Sequence, residues 1–282
     1  MQAAHHYYIP SPSHWPIVGS VALGFLGFGA AFTMNDLGAG PWMQLIGFLI
    51  LAWMMFGWFG TVSRESESGA YSPQVDISFR WSMSWFIFSE VMFFAAFFGA
   101  LFYMRALSVP GLSEGATGEY LWPSFKAGWP VSGPGIEETF TPMGAWGIPA
   151  INTLLLLTSG ATLTWAHWGL KNNNRGQLNF GLFLTIALGI AFLSLQIYEY
   201  SHAFHELNLT LSMGAYGATF YMLTGFHGFH VTVGTIMLIV ILFRCLAGHF
   251  KPEHHFGFEA VSWYWHFVDV VWLMLFVLVY WL

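Results

Sequence analysis

The chain has 282 residues, of which 56% are hydrophobic, 20% aromatic and only 8% charged, against roughly 25% charged residues in ordinary soluble domains. Eight basic and fourteen acidic residues give a formal charge of -6, which excludes the basic face that a nucleic-acid partner requires. The single cysteine, Cys245, excludes disulfides and any CxxC zinc, iron-sulfur or redox motif, and the balance is that of a membrane protein.

The first fourteen residues carry no Lys or Arg and include Pro10, Pro12 and three His, so no cleavable signal is expected. Crossing a hydrocarbon core of about 30 Å takes about 20 helical residues. Seven stretches of that length lie between turn signals or charges: Trp15 to Phe32, Met43 to Val62, Phe79 to Met104, Trp146 to Leu170, Leu178 to Phe204, Met213 to Phe243 and Gly257 to Leu282. Unsatisfied backbone is so costly in lipid that these should be helices rather than strands. Turn residues separate them, as in "NDLGAGP" from Asn35 and "NNNRGQ" from Asn172. The predicted fold is all-α, a polytopic membrane protein with seven transmembrane helices in a single membrane domain, 1–282. Within it, 15–62 holds the first two helices, 79–282 the other five, and 107–145 forms the only sizeable extramembrane loop, rich in Gly and Pro.

Orientation follows from the eight basic residues. With the N-terminus on the negative side, the inward loops and helix ends hold Arg64, Arg80, Lys171, Arg175, Arg244 and Lys251, leaving Arg105 and Lys126 outside. Six against two predicts a cytoplasmic N-terminus and an outward C-terminus.

Depth then follows at 1.5 Å per helical residue. Glu90 lies about 15 Å beyond Arg80, His230 about 21 Å from Arg244, and His266 and Asp269 about 16 and 21 Å beyond His255. Four polar groups on three helices are thus expected in one layer, with His266 and Asp269 in reach at i, i+3. Charges at that depth normally face the protein interior, paired or neutral. The layer reads as hydrogen bonds that fix helix packing, as a site built around a proton-active Glu90, or as a lipid-facing Glu90 outside both. Glu90, His227, His230, His266 and Asp269 are the buried polar candidates.

Twelve histidines raise a metal hypothesis. A bis-histidine haem needs ligands on facing helices at matching depth, and zinc or copper needs three or four convergent ones. His227 and His230, at i, i+3 in "HGFH", could contribute, yet of the intramembrane histidines only His230 and His266 share a layer. His5, His6, His14, His249, His254 and His255 fall at the boundary or outside it. No metal ligand and no catalytic residue is expected here. Tryptophans such as Trp15, Trp58 and Trp263 read as interfacial anchors. Arg64 and Arg244 lie at the inward boundary, where a guanidinium either grips a phospholipid phosphate or snorkels to water.

The stretches "HHYYIPSPSHWP", "FSEVMFFAAFFGALF", "IPAINTLLLLTSGATLTWAH", "GATFYMLTGFHGFHVTVGTIMLIVILFR" and "HHFGFEAVSWYWHFVDVVWLMLFVLVYW" resemble, in order, subunit III of the haem-copper cytochrome c oxidases. The resemblance implies seven helices with the N-terminus inside, the first two splayed from the other five by a V-shaped cleft that holds phospholipids. It implies a subunit of an aa3-type oxidase without a redox centre of its own. Haem a, haem a3 and copper belong to partner subunits, and cytochrome c is met indirectly, through subunit II. Its implied role beside subunits I and II is support of assembly, of proton uptake and of stability in turnover. By the same resemblance Glu90 matches an intramembrane carboxylate that reacts with carbodiimides, Arg244 an arginine near a lipid phosphate, and Arg64 and Glu65 an Arg-Glu after the second helix. The lipid-binding candidates are Arg64, Trp58, Arg244 and His249. The chain departs from the family at "WFGT", Trp58 to Thr61, where relatives commonly read Trp-Trp followed by Arg-Asp. The long 107–145 loop suggests a bacterial inner membrane rather than a mitochondrial one. A proton transporter would need a polar route across the membrane, and an electron-carrying cytochrome would need haem. Subunit III of quinol oxidases is similar but usually lacks the first two helices.

Overall fold

The computed structural model describes residues 11–282, all-helical apart from connecting turns and an isolated bridge between Lys251 and His254. His5 and His6 lie outside the described residues. Among the described residues, seven helices are long and apolar enough to cross a membrane. They are α1 (Trp15–Met34), α2 (Gly40–Glu67), α3 (Pro73–Tyr103), α4 (Ile148–Lys171), α5 (Arg175–His205), α6 (Gly214–Leu246) and α7 (Phe256–Leu275). The protein is a multi-pass membrane protein, with large apolar side chains such as Phe28, Phe56, Phe229 and Phe243 exposed along its helices, as lipid rather than water demands.

Local sequence sets the ends. Pro16, Pro41 and Pro149 occupy first turns, where the missing N–H has no helical partner to lose. The Asn174 side chain caps α5 by accepting from the Gln177 N–H at 3.1 Å. α3 runs further than its apolar stretch: a π-helical turn, Met104–Ser108, joins it to a last helical segment, Val109–Ser113. The 107–145 region therefore starts as helix. Pro110 near the start of that segment has no N–H to donate, and the ladder ahead of it widens by one residue. The rest of the region is tied to α6 and to the turn before it, through the N–H of Ala215 to Ser132 O at 2.8 Å and of Thr141 to Leu207 O at 2.9 Å.

The chain divides into two compact units, the first ending at Phe79 and the second spanning Arg80–Leu282. In the first, α1 and α2 pack through small residues, Ala22, Gly29, Gly40 and Gly47, which let the backbones approach. In the second, α4 to α7 enclose a core around Trp265, Trp272, Phe192 and Phe220, all less than 2% exposed. The Trp265 ring lies against Gly189 of α5 and Gly234 of α6, where a Cβ would stand 2.9 Å from ring carbons. Its Nε1–H donates to Ser159 Oγ of α4 at 2.8 Å, so one side chain ties four helices.

The α1–α2 contact is testable at two glycines. A Cβ on Gly29 would stand 2.7 Å from the Gln44 backbone N, whereas one on Gly27 meets open space. Gly29→Ala is expected to destabilise the pair by about 1–3 kcal/mol and Gly27→Ala to leave it unchanged or slightly firmer, read as thermal unfolding of the purified protein in lipid.

Candidate functional site

Glu90 on α3 meets His230 on α6, with Oε2 2.9 Å from Nε2. His230 Nδ1 lies 2.6 Å from Phe226 O, four residues earlier in the same helix. A carbonyl can only accept, so Nδ1 carries the hydrogen and Nε2 turns to the carboxyl. The two atoms then need one proton between them, either a neutral carboxyl donating to the ring or an imidazolium donating to a carboxylate. Phe94 crosses the imidazole edge-on at 5.0 Å, and Tyr264 stacks on it at 6.3 Å. The Glu90 side chain is 21% exposed and that of His230 9%, so the pair is largely closed off.

The other candidates do not join this pair. His227, fully buried, donates from Nε2 to Val268 O of α7 at 3.2 Å between the rings of Phe192 and Trp272, and its Nδ1 has no hydrogen-bond partner. One helical turn of α6 thus sends its two histidines to different neighbours. His266 and Asp269 approach to 3.5 Å on α7, with Thr164 Oγ1 of α4 3.4 Å from His266 Nε2. Asp269 fits because Gly160 leaves room; a Cβ there would collide with Oδ2. The four groups form two separate pairs, because His230 turns to Glu90 of α3 while Asp269 lies against Gly160 of α4.

A carboxylate that the sequence reading passed over is buried more completely than Glu90 or Asp269. Glu199 of α5 is 0% exposed and accepts from the Tyr280 hydroxyl at 2.6 Å and from Gln196 Nε2 at 3.4 Å, with its Oε2 unpaired. The signal was present in "QIYEY": Gln196, Glu199 and Tyr200 lie within one turn, and Tyr200 reaches Thr224 Oγ1 of α6 at 2.7 Å.

Of the lipid candidates, Arg244 and His249 come together, Nε to Nδ1 at 3.5 Å, with the guanidinium 4.4 Å over the Phe250 ring. In the first unit, Arg64 is exposed and donates to Thr61 Oγ1 at 3.1 Å, and Trp58 is 39% exposed. Among the described residues, His167, at the end of α4, meets His255 and Glu259, at the start of α7, with ligand atoms within 4.8 Å of one another, a convergence that the sequence spacing did not reveal. His255 precedes the membrane-spanning segment, and burial holds its imidazole below the ordinary value, with Lys171 and Arg80 pushing the same way. Chain contact between the end of one helix and the start of another three helices later is what sequence spacing could not supply.

The family model for cytochrome c oxidase subunit III matches residues 5–282. Cytochrome c oxidase subunit 3 of Chondrus crispus is 43% identical over 280 residues, covering 98% of this chain and 94% of the relative. That of Drosophila yakuba is 42% identical over 285 residues, covering 98% and 97%, and that of Prototheca wickerhamii 40% identical over 277, covering 98% and 97%.

The Glu90–His230 geometry has a direct test. If the carboxyl donates to Nε2, Glu90→Gln supplies an amide donor at the same place and should lie within about 0.5 kcal/mol of the parent, whereas Glu90→Ala strands Nε2 and should cost about 1–2 kcal/mol in thermal unfolding. An ion pair would instead make the two variants comparably unstable.

Proposed function

This chain belongs to the cytochrome c oxidase subunit III family, and from that premise we propose that it serves an aa3-type oxidase as a subunit without catalysis of its own. Its tasks are to support assembly, proton uptake by the catalytic subunit and endurance in turnover, and to bind phospholipid. The observation that carries the reading is the closed Glu90–His230 pair, two ends of a tie between α3 and α6 rather than a group presented to a substrate. Haem a, haem a3 and copper are assigned to subunits I and II, with electrons arriving from cytochrome c through subunit II.

The chemistry of this chain is then positional. Glu90 and His230 share one proton inside the bundle, a neutral carboxyl donating to the ring, and so fix the rotation of α3 against α6. At the boundary, Arg244 with His249 beside it offers a guanidinium donor and an imidazole to a lipid phosphate, and Arg64 does so in the first unit. The basic residues favour an inside N-terminus, and the long loop after α3 favours a bacterial inner membrane.

The deciding measurement is oxygen consumption together with proton pumping in the intact complex carrying Glu90→Gln. Both should remain within about twofold of the parent, because the variant keeps the tie and the redox centres lie elsewhere. Pumping lost from an intact complex would make Glu90 an obligatory proton carrier and overturn the positional reading. Arg244→Ala should lower the retained phospholipid and shorten the active lifetime while leaving the initial rate nearly unchanged. Unaltered lipid content and lifetime would show that Arg244 only snorkels.

A further inference from the structure

Among the described residues, one cluster holds imidazole and carboxylate groups that the reading above does not use. His167 closes the last turn of α4, His255 stands just ahead of α7, and Glu259 lies in the first turn of α7. One ligand atom from each falls within 4.8 Å of the others. The His167 and His255 rings meet edge to face, with centroids 5.3 Å apart.

The hydrogen positions make the cluster unusual. His255 Nδ1 lies 3.1 Å from Lys251 O, and since that carbonyl can only accept, Nδ1 carries the hydrogen, and in the neutral ring Nε2 presents its lone pair. That lone pair is 3.2 Å from Glu259 Oε1, itself an acceptor, and the two do not align as a hydrogen bond. The His255 side chain is only 8% exposed, so water does not readily supply the missing donor. His167 Nε2 is buried without a hydrogen-bond partner as well. Bare acceptors converging on one point call for a cation between them.

The spacing selects the ion. Zinc bonds nitrogen and carboxylate oxygen at about 2.0–2.2 Å, which in a tetrahedron sets neighbouring ligand atoms about 3.3–3.5 Å apart. The His255–Glu259 separation of 3.2 Å is already there, and rotation of side chains by about 1 Å closes the widest gap. Two imidazoles, one carboxylate and a fourth position for water form a zinc set, whereas calcium and magnesium ask for six or more oxygens. The outer contacts fit too. The Lys251 carbonyl fixes the tautomer of His255, and Arg80 of α3 donates to the other oxygen of Glu259, orienting its carboxyl group. Arg80 and the nearby Lys171 add positive charge that weakens the affinity without removing it.

We propose that His167, His255 and Glu259 form a zinc-type divalent cation site that clamps the end of α4 to the start of α7 and, through Glu259, to α3. The clamp is structural and independent of the role assigned to Glu90.

The test uses the intact purified complex, stripped with a chelator and titrated with Zn2+ alone. The parent should bind one zinc more per complex than His167→Gln or Glu259→Gln, or hold it at least about 100-fold more tightly. X-ray absorption of the parent should show two imidazoles and oxygen at about 2.0–2.2 Å, and anomalous diffraction should place the ion between the three side chains. Equal zinc stoichiometry and affinity in parent and variants would overturn the proposal. Should the variants fail to assemble, the parent decides alone: no anomalous peak at that point at saturating zinc overturns it, and a peak there supports it.

Discussion

Hydrocarbon offers a polar side chain no water to fall back on, and in this bundle that constraint shows in the partners its buried polar groups take, with Asn152 of α4 an exception, fully buried and unpartnered at both amide atoms. Hydroxyls answer it locally: Thr164, Thr224 and Thr235 each donate to the carbonyl four residues back, at 2.7–3.0 Å. Side chains too large or too remote for that must find partners on other helices, and those bonds fix rotation and depth. Most of them involve the last helix. Trp265 donates to Ser159, Trp272 to Thr153 and Tyr280 to Glu199, while Val268 accepts from His227. Each is worth only about 0.6–1.7 kcal/mol, but a slip of α7 by one residue would leave all of them unmade at once. Register is specified by the sum.

The same bonds dictate where small residues must be. Trp265 reaches Ser159 only because Gly189 and Gly234 leave its ring room, and Asp269 reaches His266 only because Gly160 has no side chain. With no hydrophobic drive between helices in lipid, this close fit supplies the dispersion energy that holds them. Glycine and tryptophan positions in α4 to α7 are two halves of one constraint.

Seven spans and the shared level of Glu90 and His230 were legible in the sequence, because both depend on one helix at a time: an apolar length, and a rise counted from a boundary arginine. Pairings depend on which face meets which helix, and in lipid the usual guide to faces, an apolar side against a polar one, is missing. Hence the four-group layer resolved into two pairs, and His227 and His230, one turn apart, went to different neighbours. Glu199 was visible as a charge in an apolar run, yet its partner Tyr280 sits more than eighty residues away, beyond the reach of spacing along one helix. The continuation of α3 to Ser113 followed from a proline that restarts a helix rather than ending it. The His167, His255 and Glu259 cluster needed knowledge that α4 and α7 meet end to start.

The interior polar groups form islands rather than a chain. Glu90 with His230, His227 with Val268, His266 with Asp269 and Thr164, and Glu199 with Tyr280 and Gln196 are each closed within a few ångströms, and rings of Phe94, Phe192 and Trp272 pack against them. Full cations are kept to the ends, where Arg80 meets Glu259 and Arg244 meets His249, while phenol, imidazole and amide serve the interior, where desolving a guanidinium would cost most. A conduit for protons needs continuity between such groups. Separate ties of this kind each lock one helix pair, and their directional bonds fix its rotation and depth.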